Sequence, residues 1–319
     1  MSDLAEPLPG VSAAVHRHPA RGYALYLVAA GLFALNGTVS KSILLTGIDS
    51  ARLSQLRVTV AFLILLAVVA VTRPATLRIR RAEVPILLVY GILGIAMTQY
   101  LYFVSISRLP VGVALLIEFT APIMVALWYR FGMHETVSGR VWGGLVLALV
   151  GLALVGQVWL GFTLDGLGVI AGFGAAAALA TYYLLADRQV RGPHARDPVS
   201  LTMWGFGAAA LFWAVVQPWW AFPWSELTGV GYPLGDQGAA VPFWALCAYM
   251  IVLGTVVPFW LVVVSLHHIN ASQASIVGMT EPLLAIFIAW VALSEALTAV
   301  QIVGAVTVLA GVFLAERSR

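Results

Sequence analysis

Apolar residues run along the chain in ten blocks, at 22–45, 52–72, 84–106, 110–130, 140–159, 166–187, 199–221, 241–266, 271–293 and 297–315, separated by clusters of arginine, proline and glycine. About 20 apolar residues are enough to carry a helix across the hydrocarbon core of a bilayer. Strands of a membrane barrel would instead alternate polar and apolar residues over about ten positions, and Ala61 to Val71 is continuously apolar. The pattern predicts an all-α integral membrane protein with ten transmembrane helices.

The blocks repeat. At a constant offset of 160, Gly94 meets Gly254, Ser105 meets Ser265, Ala114 meets Ala274, Thr120 and Pro122 meet Thr280 and Pro282, and Glu135 meets Glu295. Gly144 then meets Gly304, Gly151 meets Gly311 and Leu154 meets Leu314. Five spans per half is an odd number, so the halves insert with opposite orientation as two inverted five-helix repeats. Inverted repeats characterise secondary transporters, whose site lies near the repeat interface and whose halves rock to expose it alternately. The expected boundaries are a tail at 1–21, a first repeat at 22–159 (helices 1–5), a second at 166–315 (helices 6–10) and a tail at 316–319.

Composition narrows the class. Of 319 residues 61% are hydrophobic and 10% charged, against about 25% charged in a soluble globular domain. A net charge of +3 gives no basic surface for nucleic acid. The arginines fix an orientation. With the N-terminus inside, thirteen lie on the cytoplasmic side (Arg17, Arg21, Arg73, Arg78, Arg80, Arg81, Arg130, Arg140, Arg188, Arg191, Arg196, Arg317, Arg319) and two outside (Arg52, Arg108). Both termini are then cytoplasmic. The acidic outer loop from Phe222 to Val241, next to Trp219, Trp220 and Trp224, suits an interfacial aromatic belt. The polar N-terminus has no apolar signal core, so it reads as a retained tail. Arginine-for-lysine bias with abundant alanine suggests a GC-rich bacterial genome, hence an inner membrane. The single Cys247 cannot form an intrachain disulfide.

Charges inside spans cost about 2.5–3.5 kcal/mol each at a helix centre, and are functional candidates for that reason. Four qualify: Lys41, Arg57, Glu118 and Glu281. Glu118 could neutralise Lys41 or Arg57 in an ion pair that a cargo carboxylate or ammonium would break. The alternative is a snorkelling Lys41 and a static pair that fixes helix register. Ser272, Ser275, Gly278, Glu281, Ala285 and Ala289 recur every three or four residues as a small, weakly polar stripe, which faces the protein interior. Pro282, and Pro122 at the equivalent place, each remove a backbone donor and predict a helix kink that frees carbonyls. Glu281 could bind an amine or exchange a proton, or else pair permanently with a hydroxyl or cation. Asn36, Thr98, Gln99, Tyr100, Tyr102, Tyr182, Tyr183 and Trp260 could complete a site for an amphiphilic small molecule, though most membrane aromatics pack or anchor. The glycine faces of spans 5 and 10 read as packing surfaces.

Enzymatic readings find little support, and an integral-membrane enzyme comes last among the alternatives for want of a catalytic constellation. His267 and His268 lack a further ligand at metal spacing, no pair of aspartates lies within spans, and there is neither a nucleophile elbow nor a phosphate loop. No cofactor is expected, and ATP is not the direct energy source. Glu135 and Glu295 read as caps of the helices that follow.

At the paired blocks from Pro122 to Glu135 with Gly144 and Gly151, and from Pro282 to Glu295 with Gly304 and Gly311, the chain resembles the EamA-type, ten-span branch of the drug/metabolite transporter superfamily, over essentially residues 22–315. The resemblance implies export of amino acids, related metabolites or drugs through a central cavity between the halves, with spans 5 and 10 peripheral. Many members carry Trp-Gly before a later Lys in span 1; here Asn36 and Gly37 precede Lys41, so the Lys matches and the Trp is missing. The expected function is a secondary transporter that exports small amphiphilic metabolites, with protons as the candidate coupling ion. A membrane scaffold or sensor, a channel-like facilitator and a lipid flippase stand as alternatives.

Overall fold

A computed structural model describes residues 18–158, 165–191, 195–232, 239–293 and 298–317. The N-terminal tail through Arg17, and Asp236, Glu295 and Arg319, lie outside the described residues, as does the side chain of Ala289. The protein is a multi-pass, all-α membrane protein. All ten predicted spans are helical among the described residues, and several are composite. α1 (Pro19–Leu45) and α2 (Ser50–Thr72) are continuous. Span 3 joins α3 (Val84–Val89) to α4 (Thr98–Arg108) through a π-helical segment, Tyr90–Met97. Span 4 is α5 (Val111–Glu118) and α6 (Ala121–Leu127), followed by a π turn at Trp128–Gly132. α7 (Gly139–Val155), α8 (Gly166–Arg191) and α9 (Pro198–Val216) follow. Span 8 is α10 (Phe243–Ile251), a π turn at Val252–Val256 and α11 (Val257–Ser265). Span 9 is α12 (Ala271–Gly278) and α13 (Glu281–Leu293), and α14 (Ala299–Glu316) completes the set. A two-residue antiparallel ladder, β1 (Val230–Gly231) with β2 (Val241–Pro242), pins the long loop before span 8.

Capping residues set the helix starts. Asp49 accepts from the Ala51 amide (2.9 Å) ahead of α2, and Asp197 from Ser200 (3.1 Å) ahead of α9. Asn270 and Gln273 form a reciprocal capping box on α12, as do Thr298 and Gln301 on α14. The cap of α7 is Ser138, which accepts from Val141. The cap position expected for Glu135 is thus taken by Ser138; Glu135 lies three residues ahead of it and, among the described residues, its side chain accepts from no α7 amide.

The halves are interleaved. α1 packs on α11 and α13 of the second half, and α8 packs on α4, α5 and α6 of the first. α2 lies on α9, and α7 lies on α14. The last pair is held by glycines in close approach: a methyl group at Gly144 would fall 2.6 Å from the Gly311 carbonyl oxygen, and one at Gly311 would fall 2.6 Å from that of Gly144. Both predicted small-residue faces are spent on each other, leaving Val146, Val150, Val306, Leu309 and Phe313 exposed on the outer surface, where lipid covers them.

Candidate functional site

Spans 4 and 9 break at the same point. After α5, Thr120 folds back onto Ile117, its amide (3.1 Å) and hydroxyl (2.7 Å) both donating to that carbonyl. After α12, Thr280 does the same to Val277, at 3.0 and 2.7 Å. Pro122 and Pro282 then occupy the first turn of α6 and α13, where a missing N–H costs nothing to the helix they open. That missing N–H is felt upstream, because the carbonyls of Glu118 and Gly278, four residues earlier, lose their helical donors. The two acidic side chains flank these breaks. Glu118 ends α5 and Glu281 begins α13, where the helix dipole favours an anion.

Arg57 enters from α2 and is only 3% exposed. Its partner is the π turn of span 8. Pro258 has no N–H for the carbonyl four residues back, that of Gly254, and Arg57 Nη2 donates to this oxygen at 2.8 Å. Arg57 Nε donates to Thr255 Oγ1 at 2.5 Å, and that hydroxyl donates on to the Met250 carbonyl at 2.7 Å. The guanidinium also lies over the Phe103 ring, 5.3 Å from its centroid. Among the described residues no ion pair joins Glu118 to Arg57 or Lys41, so backbone and hydroxyl ligation of Arg57 stands where that pair was expected. Neither Glu118 nor Glu281 makes a side-chain hydrogen bond among the described residues.

Arg57, Glu118 and Glu281 line one cavity enclosing about 600 Å³ between atoms, its mouth included. Tyr26, Phe33, Asn36 and Gly37 of α1, Thr98, Gln99 and Tyr102 of α4, and Tyr183 of α8 with Phe259 of α11 form most of the remaining wall. Both halves contribute. Gln99 is buried, and among the described residues both its amide nitrogen and its amide oxygen lack a partner. A buried amide left so costs about 1–3 kcal/mol unless something in the cavity satisfies it. Phe33 and Phe259 meet edge to face at 5.3 Å, and the Tyr26 and Tyr183 hydroxyls hydrogen-bond to each other beside Gly278.

Of the residues singled out from sequence, Asn36, Arg57, Thr98, Gln99, Tyr102, Glu118, Tyr183 and Glu281 come together at this cavity. The others are placed elsewhere. Lys41 donates to the Leu109 carbonyl at 3.1 Å near the end of α1. Tyr182 stacks on Tyr90 (5.5 Å) and on the edge of Phe259 (5.4 Å) behind the cavity wall. Tyr100 packs against Trp213. Trp260 is 37% exposed on the outer surface. Tyr26, Phe33, Thr255 and Phe259 are wall or support residues that sequence reading passed over. The signal for Gly254 and Thr255 was Pro258, whose missing N–H points four residues back.

A polytopic helical protein with two interleaved, inverted halves, and an ionisable cavity walled by both, is built as a membrane transporter and not as an enzyme. Residues 20–157 and again 166–317 match the EamA-like transporter family, and the chain belongs to that family. Similar proteins include the uncharacterized transporter YdfC of Bacillus subtilis, 25% identical over 72% of this chain and 70% of its own. The threonine/homoserine exporter RhtA of Escherichia coli K12 is 27% identical over 81% of this chain and 78% of its own. An uncharacterized transporter of Archaeoglobus fulgidus is 27% identical over 89% and 93%. A crystal structure at 16% identity shares the fold, with a TM-score of 0.69 over 92% of this chain and 97% of its own.

Proposed function

We propose that this transporter is a secondary exporter of small amphiphilic metabolites bearing both an ammonium and an acidic group, amino acids and their relatives, working by alternating access through the central cavity. The observation that carries this reading is the set of charges in one chamber: a guanidinium held by neutral ligands, two carboxylates without hydrogen-bond partners among the described residues, and an unsatisfied amide. An ammonium suits Glu118 and Glu281, an acid suits Arg57, and Phe33 and Phe259 suit an apolar side chain. Likeness to an exporter of threonine and homoserine supports the same class of cargo. Glu281, at the break of span 9, is the proposed proton-exchanging group. The arginine distribution supports cytoplasmic termini, and the bacterial relatives support an inner-membrane location.

Saturable, gradient-driven flux of such a metabolite in proteoliposomes tests the reading, together with its build-up inside cells that lack the protein. Flux that never saturates, or that is unchanged in Arg57→Gln and Glu281→Gln, would overturn it. Proton coupling through Glu281 is sunk by a Glu281→Gln variant that keeps the wild-type dependence on the proton gradient.

A further inference from the structure

The turn that ends the third span of one half is rebuilt in the other. The Leu109 amide donates to the Ser105 carbonyl (2.8 Å), and the Ile269 amide to that of Ser265 (3.0 Å). Each turn rests on a glycine at the start of the first helix of the opposite half. A methyl at Gly168 of α8 would lie 2.8 Å from Leu109 Cγ and 3.0 Å from Arg108 Cβ. A methyl at Gly22 of α1 would lie 2.8 Å from His268 Cβ and 2.9 Å from Ile269 Cγ2. The turn at 108–109 therefore belongs with α8 and spans 3 and 4, and the turn at 268–269 with α1 and spans 8 and 9.

A cation crosses to each turn from the other group. Lys41, near the end of α1, donates to the Leu109 carbonyl at 3.1 Å. Arg191, the last residue of α8, donates through Nε to the Leu266 carbonyl at 3.0 Å and through Nη2 to that of Ile269. The accepting residues Leu109 and Ile269 obey the same offset of 160 as the repeat. Both carbonyls have lost their ordinary helical donor, because the Val113 amide is taken by Pro110 (3.0 Å) and the Gln273 amide by the Asn270 side chain (2.8 Å). Each cation thus fills a vacancy left by a helix start, at opposite ends of the molecule.

We propose that Lys41 and Arg191 are paired latches of the transport cycle, each tying the two helix groups together at one end of the cavity and released in turn, so that the cavity opens at that end alone. The inference rests on the alternating-access reading above. A grip on a backbone carbonyl suits a latch, since letting go leaves a cation near the interface that water can solvate, and Arg191 keeps its ion pair with Asp187 on the same helix (2.8 Å) when it releases the turn.

The test uses the full-length protein with Cys247→Ser and a reporter, Leu179→Cys, on the cavity wall, labelled from each side of the membrane by an impermeant maleimide. Lys41→Met is expected to speed labelling several-fold from the Lys41 end and not from the other. Arg191→Met is expected to give the mirror image, and Lys41→Arg or Arg191→Lys to restore wild-type rates. Unchanged rates in both Met variants, or acceleration of both from the same side, overturn the proposal. Should a Met variant fail to fold, the native latches can be read directly with spin labels at Leu45→Cys and Ser107→Cys. Two separations during cargo turnover support release of Lys41, and one fixed separation overturns it. Failure of the underlying reading looks different: a reporter labelled from both sides at once, with or without cargo, removes alternating access and the latches with it.

Discussion

At the break in span 4 the carboxylate is the last side chain of α5, while at the break in span 9 it is the first of α13. The backbones match down to the threonine that folds back on the carbonyl three residues earlier, yet the acids sit on opposite sides of the turn. The counterpart of Glu118 is Gly278, which adjoins the Tyr26 and Tyr183 hydroxyls. The counterpart of Glu281 is Ala121, fully buried in apolar contact with Val125, Ala176 and Ala180. Duplication thus supplied the scaffold twice, and divergence placed one charge from each copy into a shared chamber. The architecture is two-fold and the chemistry is not.

The largest effect should come from forcing the copies to agree. Ala121→Glu puts a carboxylate among buried alanines, and is expected to cost about 3–5 kcal/mol, seen as loss of folded protein in a detergent melt. A variant as stable as wild type would mean that the site at Ala121 is wetter than its packing shows. Next comes the place where the halves meet without chemistry. Gly144→Leu drives a side chain into the Gly311 backbone, and should cost roughly 1–3 kcal/mol while sparing cargo affinity in whatever protein survives. Third, the two acids should differ in role. Glu281→Gln is expected to reduce gradient-driven transport tenfold or more, about 1.4 kcal/mol, and to abolish its proton dependence, whereas Glu118→Gln should raise the cargo KM with the proton dependence intact. Identical phenotypes would erase the distinction drawn between the two breaks.

The smallest effect lies outside the membrane. Asp165 accepts from the Gly168 amide at 2.8 Å and pairs with Arg108 at 3.3 Å, giving α8 a side-chain cap that α1 lacks. The Gly168 amide first, helped by Arg108 against an opposing desolvation, holds the Asp165 carboxyl below the usual aspartate range. A depressed carboxyl contributes stability above its unfolded pKa and loses it as pH falls through the folded value. Asp165→Asn should therefore melt slightly below wild type at neutral pH, and the gap should close in strong acid.

Much of this was legible in the chain. Each of the ten apolar runs is helical among the described residues, because a chain in lipid must satisfy its own backbone, and the offset of 160 located both breaks through Pro122 and Pro282. Side-chain direction was the part that periodicity could not deliver. Tyr182 and Tyr183 are adjacent, so about 100° of helix rotation sends one behind the wall and the other into the cavity. Trp260 shared the polar-aromatic signature of a site residue but lies on a face turned outward. The π turns at Tyr90–Met97 and Val252–Val256 shift the helical register by a residue, which defeats any extrapolation at 3.6 residues per turn. The pairing expected between Arg57 and Glu118 rested on charge alone, and overlooked the neutral oxygen that Pro258 had made available.

That oxygen has a consequence for selectivity. A cation paired with a carboxylate presents little net field to a visitor, whereas one cradled by a carbonyl and a hydroxyl keeps its whole charge on offer. Arg57 makes no ion pair among the described residues although Glu118 and Glu281 share its chamber, so on the proposed reading a negative group on the cargo would be its direct partner for as long as it stays. A molecule that brings no negative group would leave that role unfilled, and discrimination against it would be written into the empty transporter before anything binds.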